Sequence, residues 1–104
     1  MRITTWNINS VRLRIGLALK LLDQSRPDVL CLQETKCPDE QFPFEAFRDI
    51  GYKYIAVNGM KAYNGVALIS RVPFESELAL DWTERSDCRH ISVSYTHLTL
   101  PTKA

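Results

Sequence analysis

The chain has 104 residues, 45% hydrophobic and 24% charged, with 13 Lys or Arg against 12 Asp or Glu for a formal net charge of +1. That length fits one small domain or part of a larger one, and the composition is that of a folded protein rather than a disordered one. A near-neutral balance excludes a strong global field toward nucleic acid or membrane, so any site for a polyanion must be local. No apolar stretch approaches the length of a bilayer span, and Met1-Arg2-Ile3-Thr4-Thr5-Trp6 lacks the form of a secretory signal, so a cytoplasmic protein is expected. Three cysteines, Cys31, Cys37 and Cys88, form no CxxC pair, which argues against a disulfide framework and a zinc knuckle. Cys31 reads as a small core residue.

Arg2 to Trp6 is predicted as a short strand that stops at Asn7-Ile8-Asn9-Ser10, a strand-to-helix corner where Asn9 or Ser10 can cap a helix. From Val11 to about Ser25, apolar residues recur at Val11, Ile15, Ala18 or Leu19, and Leu22. These spacings of three and four put them on one helical face, with Leu13 and Leu21 widening it. Arg26-Pro27-Asp28 ends the helix, because a residue before proline is pushed out of the α region. Val29 to Gln33 comes next as a strand. Four consecutive apolar residues cannot expose one face to water, so this strand is expected to be covered on both sides, with polar chemistry confined to its C-terminal end at Glu34. Strand, helix, strand favours a parallel crossover.

Residues 37–43, with two prolines and acidic residues, read as a loop in which Asp39 and Glu40 are surface charges. Phe44 to Ile50 is predicted as a short helix ended by Gly51 in the left-handed conformation. Tyr52 to Val57 and Gly65 to Ser70 are predicted to pair as an antiparallel hairpin with a long loop, Asn58-Gly59 being a turn dipeptide. Glu75 to Leu80 is a further short strand, Trp82 to Asp87 a loop, and Arg89-His90-Ile91 the start of another strand. Trp6, Tyr52 and Tyr54 read as packing residues, and Arg14, Lys53, Arg71 and Arg85 as solvated charges.

If the first two strands are parallel neighbours, Asn7 and Glu34 finish on the same sheet edge and come within reach of one site. An amide oxygen and a carboxylate are suitable ligands for a hard cation, whereas both motifs lack the His and Cys that softer metals prefer, so Mg²⁺ is the expected ion and Mn²⁺ the alternative.

In order and spacing, Trp6-Asn7-Ile8-Asn9-Ser10 and Leu32-Gln33-Glu34-Thr35-Lys36 resemble the endonuclease/exonuclease/phosphatase superfamily, and within it the exodeoxyribonuclease III type of apurinic/apyrimidinic endonuclease. Pro27 to Leu32, Gly51-Tyr52 and Tyr63-Asn64-Gly65-Val66-Ala67-Leu68-Ile69-Ser70 extend the resemblance, which runs from Met1 to about Ile91. It implies an α/β fold, a four-layer sandwich of two mixed sheets with helices outside, of which this chain holds roughly the N-terminal half. By the same resemblance Glu34 matches a metal-binding glutamate and Asn7 the asparagine that closes the network around the catalytic centre and metal. Asn9 matches a position near the metal that belongs to the DNA-binding set, Arg12 and Lys36 match basic residues beside the DNA backbone, Tyr63 an aromatic that touches a phosphate, and Arg89 a further arginine near DNA. The implied activity is Mg²⁺-dependent hydrolysis of double-stranded DNA 5′ to abasic sites, with 3′-to-5′ exonuclease trimming, in a monomeric DNA repair enzyme. The family's remaining catalytic aspartates, asparagine, tyrosine and histidine have no counterpart here, so the chain alone is expected to be inactive. Ala62 stands where relatives often carry glycine. The alternatives are another phosphodiesterase or phosphatase of the superfamily, or a non-catalytic DNA-binding remnant.

The end of the chain reads differently. Codons for Val93 to Thr102 can be chosen as GTC TCT TAT ACA CAT CTG ACG CTG CCG ACG, which resembles a transposon-end sequencing adapter. The expected organisation is therefore residues 1–91 as the N-terminal part of the domain and residues 92–104 as a non-native tail. An incomplete domain of this type is expected to expose apolar surface and strand edges and to be poorly soluble.

Overall fold

The computed structural model describes residues 2–59 and 64–74 with their side chains, and the backbone of residues 76–79, 90–95 and 98–103. The chain begins with β1 (Ile3–Asn7), α1 (Ile15–Ser25) and β2 (Val29–Gln33), and continues through a 3-10 turn (Asp39–Gln41) into α2 (Phe44–Arg48). Then come β3 (Tyr54–Asn58), β4 (Val66–Ser70), β5 (Ser76–Ala79), β6 (His90–Tyr95) and β7 (Leu98–Lys103).

Four strands form a mixed sheet in the order β1-β2-β4-β3, with β1 parallel to β2 and β4 antiparallel to both β2 and β3. The hairpin expected of β3 and β4 is present, but β4 also inserts beside β2, which makes both central strands buried along their length. Alternate residues of these strands serve two cores. Leu30, Leu32, Ala67 and Ile69 pack with Ala18 and Leu22 of α1 and with Phe47 and Tyr52. On the opposite face Val29, Cys31, Ala56, Val66 and Leu68 form a second cluster, and burial there pushes the Cys31 thiol up to about 11. An antiparallel sheet β5-β6-β7 lies against the first, with β6 near β3 and β4 and β7 near β2 and β4. Each buried Leu, Ile or Val in these layers contributes about 1.5–3 kcal/mol.

The helix expected from Val11 starts only at Ile15. Ser10 and Val11 donate their backbone N–H groups to Glu34 and Thr35 carbonyls at 2.9 and 3.0 Å, so the chain is still tied to the sheet edge there. Asn9 and Ser10 take left-handed φ values of 50° and 87°. The Ser10 hydroxyl accepts from the Leu13 N–H at 3.2 Å, so it caps the turn at 11–14 instead of α1 itself. At the other end Arg26 is left-handed rather than extended, with its N–H on the Leu22 carbonyl. Its guanidinium holds the Ile50 carbonyl at 3.0 Å and lies over the Tyr52 ring, contacts that offset the cost of that backbone. Gly51 has the expected left-handed φ, 99°.

Two arginines read as solvated charges are engaged: Arg14 donates to the Asn9 carbonyl, and Arg71 pairs with Asp28 at 2.6 Å. Tyr52 is buried and donates its hydroxyl to the Pro27 carbonyl. Leu13 does not widen the buried stripe; it is 74% exposed, and Leu17 one turn on is 58% exposed. Beside them an open apolar groove of about 400 Å³ is lined by Thr4, Thr5, Trp6, Leu17 and Leu21, along the outer strand β1. The predicted loop Trp82 to Asp87 lies outside the described residues.

The Asp28 latch sets an acid limit. The Arg2 N–H, at 2.7 Å, and then the Arg71 guanidinium hold its carboxyl below the usual carboxylate range against an opposing effect of partial burial. A lowered native pKa contributes stability at neutral pH that disappears as pH falls through and below the ordinary carboxylate value of about 3.9. Urea unfolding of wild type and Asp28→Asn should therefore differ at pH 7, wild type being the more stable, and converge at the acid end of the series.

Candidate functional site

Parallel pairing puts Asn7 opposite Gln33, so the ends of β1 and β2 leave the sheet at the same edge. The next residue, Glu34, is half-buried with φ 54°, a left-handed conformation uncommon outside glycine. This turns its carboxylate toward β1, where the Asn7 side-chain amide donates to Oε2. Backbone bonds fix the turn from both sides. On one side the Ser10 and Val11 N–H groups reach the Glu34 and Thr35 carbonyls; on the other, Thr35 and Lys36 donate to the Gly65 and Asn64 carbonyls at 3.0 and 2.8 Å. Asn9, Ser10, Glu34, Lys36 and Asn64 all have positive φ, so five of the six such non-glycine residues among those described lie in three adjoining loops. Sparsely populated backbone of this kind persists where surrounding contacts over-determine it.

The basic residues converge on the same edge. Lys36 donates Nζ to the Asn9 side-chain oxygen. Arg12 donates Nη1 to Gln41 Oε1 at 2.5 Å and Nη2 to the Lys36 carbonyl at 3.3 Å. Thus Asn7, Asn9, Arg12, Glu34 and Lys36 are brought together, while Tyr63 and Arg89 lie outside the described residues; Asn64, next to Tyr63, is bonded to Lys36. Sequence reasoning missed Gln41 and Thr35. Gln41 sits 29 positions from Arg12 on an acidic turn and carries no local signal. Thr35 is buried behind Glu34, 1% exposed, packed against Gly65. Asp39 and Glu40 are exposed, and Asp39 accepts from the Gly59 N–H at 2.6 Å.

The donor set suits part of the shell of a hard cation. Glu34 offers a carboxylate whose position is fixed by Asn7, and Mg²⁺ commonly takes only one or two protein carboxylates and keeps its waters. Among the described residues no group of three His, Cys, Asp or Glu side chains converges on one point. No helix among them is long and apolar enough to cross a membrane.

Residues 4–102 match the sequence pattern of the Endonuclease/Exonuclease/phosphatase family. Exodeoxyribonuclease III of Haemophilus influenzae is 37% identical over 71 residues, a match covering 68% of this chain and 26% of that protein. An AP endonuclease from Archaeoglobus fulgidus superposes with a TM-score of 0.91 at 32% identity, over 100% of this chain and 40% of its own. The 3′ phosphatase NExo from Neisseria, solved bound to a product DNA hairpin, gives 0.90 at 32% identity over 97% of this chain and 40% of its own. The chain therefore spans about a quarter of the curated relative and two fifths of each solved one, and its helices and two facing sheets form part of their α/β fold. With most of its length covered by that pattern, the chain belongs to the endonuclease/exonuclease/phosphatase family.

Proposed function

We propose that this chain is the N-terminal part of a Mg²⁺-dependent DNA repair nuclease that hydrolyses the backbone 5′ to abasic sites and trims 3′ ends, and that the 104 residues by themselves are inactive. The observation that carries the reading is the Asn7–Glu34 contact at the shared end of β1 and β2, with Arg12 and Lys36 at the same edge. Glu34 would hold the ion through a carboxylate oxygen and Asn7 through its amide oxygen, while the Asn7 side-chain N–H, donating to that carboxylate, keeps it aimed. A divalent cation in such a site neutralises charge that develops on a phosphate undergoing hydrolysis. Arg12 and Lys36 serve binding: each cation that neutralises a phosphate releases counterions, which gives sequence-independent, salt-sensitive association. Asn9 holds the Lys36 ammonium in place. Tyr63 and Arg89 complete the proposed DNA contacts, the complete protein acts as a monomer on double-stranded DNA, and a cytoplasmic location goes with this reading.

The adapter-like coding of residues 93–102 supports taking residues 1–91 as the native portion and 92–104 as a foreign tail, although the family match runs to residue 102 and β7 falls within that tail. Reading the genomic locus across the Ile91 codon, without transposon-based library preparation, should reveal a frame that continues into further aspartates and a histidine; a stop codon after Ala104 would overturn this. The activity is tested by joining residues 1–91 to the C-terminal portion of the Haemophilus exodeoxyribonuclease III. The folded chimera should nick duplex DNA 5′ to an abasic analogue when Mg²⁺ is added. A folded chimera that leaves such DNA intact contradicts the proposal.

A further inference from the structure

The 3-10 turn Asp39–Gln41 presents two carboxylates and one amide, and the Arg12 guanidinium takes the amide. A carboxylate would have bound it more strongly, but would also have cancelled its charge. Gln41 Oε1 fixes one arm of the fork at 2.5 Å and the Lys36 carbonyl the other at 3.3 Å. A guanidinium carries five N–H donors, so further donors are left for an incoming anion, and the amide holding it adds no negative charge of its own. The holder is itself anchored. The N–H groups of Gln41 and Phe42 bond to the Pro38 and Asp39 carbonyls. Phe42 is buried against the Phe44 and Phe47 rings at centroid distances of 5.1 and 5.8 Å, and Asp39 is bonded to the Gly59 N–H.

From this geometry we infer that Gln41 is a positioning residue that pre-orders Arg12 for a DNA phosphate without neutralising it. The inference rests on the proposed DNA-backbone role of this edge. An exposed arginine ordinarily loses side-chain freedom when it engages a phosphate, and a guanidinium already held by a neutral acceptor loses less. The turn thus acts as a brace under one phosphate contact, and the identity of residue 41 sets how much charge that contact delivers.

The experiment is a salt series of duplex-DNA binding by the 104-residue chain, read by fluorescence anisotropy. For Gln41→Ala, affinity should fall about two- to fivefold with the dependence of log K on log [NaCl] unchanged, because pre-ordering is lost but charge is kept. For Gln41→Glu, the slope should become shallower by about 0.9, the equivalent of one phosphate, because the new carboxylate pairs with Arg12 internally. Arg12→Ala should lose the same slope, and adding Gln41→Glu to it should change the slope no further. Equal effects of the two Gln41 substitutions, or a slope change from Gln41→Glu that persists without Arg12, would overturn the inference and point to general surface charge. Wild type that shows no salt-dependent duplex binding would instead remove the DNA reading of the edge on which the inference stands.

Discussion

Glu34→Gln in the incision-competent chimera is expected to lower kcat/KM at an abasic site by roughly a hundred- to ten-thousand-fold, with fold and duplex binding retained. The Glu34 carboxylate sits at the shared end of β1 and β2, where the Asn7 side-chain amide donates to it. Electrostatic stabilisation by a bound cation is worth several kcal/mol, at about tenfold in rate per 1.4 kcal/mol. The amide replaces the charge while keeping the shape, so packing around the turn should survive. Asn7→Ala should cost less, about ten- to a hundredfold, because the asparagine orients the carboxylate and offers the ion only a neutral amide oxygen. Single-turnover incision at several Mg²⁺ concentrations checks both: the Glu34 variant should also need more Mg²⁺ for half-maximal rate. Activity within about tenfold of the parent for Glu34→Gln would leave the metal assignment without support.

Gly65→Ala is expected to destabilise the chain by about 2–4 kcal/mol, a large fraction of the stability of a small domain. Gly65 has φ 90°, and a Cβ there would lie 2.2 Å from the Thr35 Oγ1 and 3.4 Å from the Lys36 nitrogen. Neither neighbour can retreat easily: Thr35 is 1% exposed, and its N–H is bonded to the Gly65 carbonyl. Two costs are therefore superposed, a backbone conformation unfavourable to L side chains and a steric clash. They separate in a double-mutant cycle. Thr35→Ala should be less harmful in the Gly65→Ala background than alone, because it removes the clash, while the backbone cost remains. Urea denaturation of the four proteins checks this. Additive losses would mean that the loop simply moves aside and that Gly65 does not fix the Glu34 turn.

The parts of this structure legible in the sequence are those with local causes. The run Val29 to Leu32 is apolar at every position, and it is buried on both faces between two clusters. Gly51 lies just past a short amphipathic segment and takes the left-handed conformation that ends it. Asn7 and Glu34 could be placed together because each closes a strand and the strands are parallel. Features that depend on partners distant in sequence were not legible. The start of α1 is delayed by hydrogen bonds from Ser10 and Val11 to residues more than twenty positions away, which no periodicity records. The insertion of β4 beside β2 is non-local pairing of the same kind. Ser10, Glu34 and Lys36 adopt backbone conformations their residue types do not announce, imposed by the bonds between the loops. Gln41 is an exposed amide whose role depends wholly on Arg12 lying opposite.

The outer strand β1 has consequences for the fate of the polypeptide in a cell. Its five residues, Ile3-Thr4-Thr5-Trp6-Asn7, carry no charge and no proline, the usual guards of a sheet edge. Leu17, largely exposed, and Leu21 line the groove beside it, and Ile3 within it is 42% exposed. An unguarded strand flanked by leucines is the kind of surface that chaperone holdases and quality-control proteases capture. Expressed as these 104 residues, the chain would have a lifetime set by how quickly that edge is engaged, and its abundance would report on proteostasis.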